Sequence, residues 1–116
     1  SLEQSTMAKI VFSPEARKDL IEIGDYIALK LRNRSAAQQL MARIQEMVLS
    51  LGQFPESGTP VSFSAPSIVY RYLICGSYMI FYHLTENRVQ IDRVLYGRRD
   101  YLSVLFGDQF TEDTES

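Results

Sequence analysis

The sequence predicts an α+β domain: an antiparallel sheet of about four strands, an N-terminal helix hairpin packed on one face and a short C-terminal helix. Three observations lead there. Apolar residues recur at helical spacing through the first half of the chain. Strand-like runs joined by two-residue links fill the second half. A stretch rich in proline, glycine and serine separates the two.

Lys9 to Phe12 is a short apolar run that reads as the first strand. Ser13-Pro14-Glu15 then starts a helix. Ser13 caps it, Pro14 suits the first helical position, and Glu15 favours the positive end of the helix dipole. Ala16, Leu20, Ile23, Ile27 and Leu31 follow on one face. A break at Arg32-Asn33-Arg34 precedes Ser35 and Gln38, which form a capping box for a second helix. Its apolar positions are Ala37, Leu40, Met41, Ile44, Met47, Val48 and Leu51, with Gly52 as the stop and Pro55 confirming the exit. So short a link predicts an antiparallel hairpin.

Residues 53–67 hold three prolines, one glycine and several serines and read as a long loop, a natural contact surface. Strands are predicted over 69–75, 78–85 and 88–96. Gly76-Ser77 suits a type II′ turn, and Glu86-Asn87 makes a second tight link. The alternation falters near Arg93 and Val94, where a bulge would account for it. Asp100 caps a last short helix through Tyr101, Leu102 and Leu105, stopped by Gly107.

The 116 residues are 46% apolar and 22% charged, which predicts one globular domain over residues 7–106. Residues 1–6 are expected to be a cloning remnant ahead of a start at Met7. Residues 107–116 are expected to be an acidic, flexible tail. No apolar run approaches the ~18 residues of a membrane span, so no membrane partner is expected. One cysteine excludes an internal disulfide, and one His with one Cys makes a poor ligand set; neither metal nor cofactor is expected. Cys75 reads as structural, and the setting as cytoplasmic.

The net charge of −2 hides an asymmetry. Five of the 14 acids lie outside residues 7–106; the nine inside face all 12 Lys and Arg, a net of +3. Arg71, Arg88, Arg93, Arg98 and Arg99 make the C-terminal half basic, as for an acidic partner. His83 is the sole histidine and suggests either a general base or a hydrogen-bonded structural group. Tyr70, Tyr72, Tyr78, Tyr82, Tyr96 and Tyr101 suit either base stacking or a half-buried sheet.

These pieces together resemble the RelE/ParE toxins of bacterial type II toxin–antitoxin systems. The resemblance rests on residues 10–16 (IVFSPEA) with Asp19-Leu20 and Tyr26-Ile27, on 51–55 (LGQFP), on Val69-Tyr70-Arg71, on 78–82 (YMIFY) and on 93–101 (RVLYGRRDY). The last stretch is closer to the ParE branch. The resemblance implies a toxin, acting in plasmid stabilisation, that inhibits DNA gyrase. It implies neutralisation by a cognate antitoxin, expected along Leu20, Ile27, Leu40 and Ile44, and assembly as a homodimer or a toxin–antitoxin hetero-oligomer. The target contact is expected at Arg71, Arg93, Arg98, Arg99 and Tyr101. The alternative is a RelE-type, metal-free endoribonuclease acting on messenger RNA at the ribosome through Arg71, Arg98, Arg99, Tyr101 and His83. Such cleavage needs a base, cations and an acid, yet Leu73, Met79 and Leu105 stand where that branch carries catalytic side chains. The reading therefore leans to a protein that is not an enzyme.

Overall fold

The computed structural model describes residues 8–61 and 68–97. The chain runs β1 (Lys9–Phe12), α1 (Pro14–Asp25), a π-helical continuation (Tyr26–Lys30), α2 (Arg34–Ser50), β2 (Thr59–Pro60), β3 (Tyr70–Cys75), β4 (Tyr78–Thr85) and β5 (Arg88–Tyr96). The sheet has five strands in the order β1-β5-β4-β3-β2, one more than expected. β1 lies parallel to β5, and the other pairings are antiparallel. The extra strand comes from the long loop. Pro60 cannot donate to a ladder, and an edge position tolerates that.

The predicted cap of α1 forms: the Ala16 amide donates to Ser13 Oγ at 2.9 Å. The same hydroxyl donates to the Asp92 carbonyl at 2.9 Å, tying the helix start to β5. The far end is different from a plain α terminus. The Leu31 amide reaches back to the Tyr26 carbonyl and the Asn33 amide to the Ile27 carbonyl, with Arg32 between them at φ +55°. This Schellman-type closure places an arginine in the left-handed position that glycine usually fills. It also moves the second cap. Asn33, not Ser35, caps α2, accepting from the Ala36 amide at 3.0 Å. Ser35 sits inside the first turn and accepts from Gln39 instead.

Both helices press their apolar faces onto one face of the sheet. Ala16, Ile27, Ala37, Leu40, Ile44, Val48 and Leu51 meet Cys75, Ile80, Tyr82, Val89, Ile91 and Val94 in the core. Leu31 leaves the predicted stripe and is 55% exposed. The wider i→i+5 turn shifts the phase of the helix just before it. The β4–β5 register slips between Phe81 and Tyr82, so Phe81 faces Arg93, Tyr82 faces Ile91 and Asp92 is the extra residue of a bulge. That bulge is the break in alternation that the sequence shows. Gly76 has φ +63°, as its turn position requires. The predicted C-terminal helix and both terminal segments lie outside the described residues.

Candidate interaction groove

β5 runs past the end of β1, and the helix following β1 covers the strand edge so exposed. The bulge and this overlap bring Asp19 of α1 against Arg93. The guanidinium donates through Nε at 2.8 Å and Nη2 at 2.9 Å to the two carboxylate oxygens. Asp19 Oδ2 also accepts the Val94 amide at 2.9 Å. One carboxylate thus satisfies an edge amide and orients an arginine. The hydrogen bond to Asp19, followed by its charge, holds Arg93 in the charged form against the opposing effect of burial.

Arg93 lines a groove of about 640 Å³ with Asp19, Glu22, Ile23, Tyr26, Leu31, Tyr78 and Tyr96. The π turn closes one side and the end of β5 the other. Tyr96 is 73% exposed and Tyr26 is 54% exposed. The Tyr78 and Tyr96 rings meet edge-on, with centroids 5.3 Å apart. Partial burial, then the fields of Tyr96 and Tyr26, raises the Tyr78 phenol above its ordinary value, so Tyr78 stays a neutral donor. An arginine among exposed tyrosines is the composition of binding hot spots. Tyr26, Tyr78 and Tyr96 were visible in the sequence only as tyrosines; the π turn that gathers them leaves no signal in apolar spacing.

Arg71 is committed elsewhere. It donates through Nη1 to the Gly58 carbonyl at 3.0 Å and the Glu56 carbonyl at 3.2 Å. Tyr82 holds the same loop. Its hydroxyl donates to the Pro55 carbonyl and accepts the Gly58 amide, both at 2.8 Å. Tyr82 is fully buried, so it offers no ring for stacking.

His83 Nδ1 lies 2.8 Å from Asp92 Oδ2, and its ring packs edge-on against Tyr70 at 5.2 Å. Burial raises the Asp92 carboxyl above its ordinary value, while the hydrogen bond and charge of His83 pull it back. Arg71 pairs across the ladder with Tyr82 of the helix-side core, whereas His83 pairs with Tyr70 on the other face. The sheet therefore separates two members of the expected nuclease set. Arg98, Arg99 and Tyr101 lie outside the described residues.

The expected antitoxin contacts require correction. Ile27, Leu40 and Ile44 are core residues, and Leu20 is partly buried against that core. The helical stripe is what folds the hairpin onto the sheet, so it is not available as an outer face. The exposed apolar residues of the two helices are Ile21, Tyr26, Leu29 and Leu49. Among the described residues no group of His, Cys, Asp and Glu could hold a metal ion. No described helix is long and apolar enough to cross a membrane.

Fold and groove together define a small α+β protein with a groove lined by tyrosines and an oriented arginine at the end of its sheet. The chain belongs to the ParE toxins of type II toxin–antitoxin systems (parDE), whose family model matches residues 10–101. Among solved structures it is similar to the chromosomal ParDE toxin–antitoxin system of P. aeruginosa. That match has a TM-score of 0.64 and 23% identity over 81% of this chain and 100% of that one. It is also similar to the RelBE2 toxin–antitoxin complex of Mycobacterium tuberculosis, with a TM-score of 0.50 and 21% identity over 78% of this chain and 98% of that one. No curated protein matches the chain significantly.

Proposed function

We propose that this ParE-type toxin inhibits DNA gyrase in the bacterial cytoplasm without itself breaking bonds. A cognate antitoxin neutralises it by covering the groove described above. The observation that carries the reading is the groove's chemistry. Its lining offers one oriented guanidinium, phenols and apolar surface, which suits recognition of a macromolecule. The proton-transfer pair, His83–Asp92, belongs to a different part of the sheet. Arg98 and Arg99, which follow Gly97 in sequence, are assigned to the same target contact. Membership of the ParE family favours the gyrase reading over ribosome-dependent cleavage.

Supercoiling by purified gyrase tests this directly. The chain is expected to inhibit it, with Tyr96→Ala and Arg99→Ala each weakening inhibition at least ~10-fold, as loss of a hot-spot contact does. Full supercoiling at saturating toxin, with messages cut at A-site codons during translation, would replace this reading with the RelE one.

A further inference from the structure

We infer that the sheet face opposite the helix hairpin carries a second site, independent of the groove, that grips the phosphate backbone of a nucleic acid. The β1–β5 register sets Lys9 directly opposite Arg88. The neighbouring pair, Ile10 and Val89, points into the core, so Lys9 and Arg88 both project from the other face. Like charges at directly opposed strand positions repel and cost stability. Among the described residues neither cation has a carboxylate partner within ion-pair distance; the ion pairs there are His83–Asp92 and Arg93–Asp19. The two cations instead line a hollow of about 680 Å³ with Thr85, Glu86 and Asn87. Hydroxyl and amide donors thus accompany the charges, and one carboxylate, Glu86, lies at the rim.

The same face continues into further hydrogen-bonding groups. Gln90 and His83 are register partners one step along from Arg88 and Thr85. Asp92 engages Nδ1 of His83, and among the described residues nothing bonds its Nε2. The His83 side chain is 14% exposed. Two neighbouring cations without an ion pair among the described residues, beside neutral donors, are the groups that recognition of a nucleic-acid backbone uses. A repulsive pair becomes favourable once an anion lies across it.

Fluorescence anisotropy with the full chain and a labelled 20-nucleotide DNA strand, its duplex and the same-sequence RNA tests the proposal at ~50 mM salt. Binding is expected, with the three probes reporting which backbone is preferred. Lys9→Gln with Arg88→Gln should weaken it at least ~10-fold. The slope of log K against log salt should shrink by about one to two, since each phosphate contact contributes ~0.7–0.9. The double variant should melt within a few degrees of the parent. Arg17→Gln with Lys18→Gln, an equal charge change on α1, should bind like the parent. No binding, parental binding by the first variant, or equal loss by both variants would overturn the inference. Gyrase inhibition by the parent is read separately, so failure of either assay leaves the other interpretable.

Discussion

Tyr82 buries its ring in the core and spends its hydroxyl on two backbone groups of the loop before β2. Tyr82→Phe keeps the ring but leaves the Gly58 amide and Pro55 carbonyl unpaired, so it should cost about 1–3 kcal/mol in urea unfolding. Gly58 exists for the same contact: a Cβ there would lie 2.5 Å from the Tyr82 hydroxyl oxygen. Arg32 shows the opposite case, a residue placed against its own preference at φ +55°. Arg32→Gly should raise stability by up to ~1 kcal/mol, seen as a higher melting temperature. Asp92 makes a pH prediction. Its carboxyl is raised by burial, so the folded chain holds that proton to higher pH than the unfolded chain. Its contribution to stability therefore falls as pH rises from the ordinary value through the folded one. A carboxyl-carbon NMR titration should place its midpoint above that of an ordinary aspartate; a midpoint below it would contradict the burial argument.

At the scale of elements, the contact between α1 and β5 depends on one carboxylate serving three donors. Asp19→Ala should cost about 3 kcal/mol or more, because it leaves a partly buried guanidinium and the Val94 amide without an acceptor. Asp19→Asn retains an acceptor for Val94 and should cost less. Denaturant unfolding of the two variants separates the charge from the hydrogen bond, and equal losses would point to packing alone. The predicted bounds of β1, β4 and β5 and the start of α1 match the structure because strand period, turn residues and caps are written within a few neighbouring positions. The second cap misled because Ser35 and Gln38 form a valid local signal, yet Arg32's left-handed turn ends the first helix in a way that puts Asn33 in the capping position. The strand at Thr59–Pro60 was hidden for a related reason. Two residues carry no period, and long-range bonds of Tyr82, Arg71 and the Val61 amide hold that loop beside β3.

For the whole molecule, the sheet is a partition. One face is sealed by the helix hairpin, and the groove opens where the π turn meets the end of β5. Lys9 and Arg88 stand on the sheet face opposite the hairpin, near the opposite end of β5. Substitutions of the exposed groove tyrosines, Tyr26 and Tyr96, should weaken partner contacts without unfolding the protein. Ile44→Ala, in the core, should cost about 2–5 kcal/mol and lower activity only through loss of folded protein. Comparing inhibition per folded molecule, with circular dichroism to count the folded fraction, tells these two kinds of loss apart.

The order of β1, the two helices and the three long strands, the α+β class, the bulge near Arg93 and the resemblance to RelE/ParE toxins were legible from residues alone, since each is encoded by patterns spanning a few to a few tens of positions. Which arginine is held and which side chains face outward were not. Arg93 meets Asp19 across 74 positions, and Arg71 is bound to Glu56 and Gly58 by a fold-back of the chain. Such partners are chosen by packing and by the demand that buried polar groups be satisfied, and that demand acts only once distant segments have been brought together.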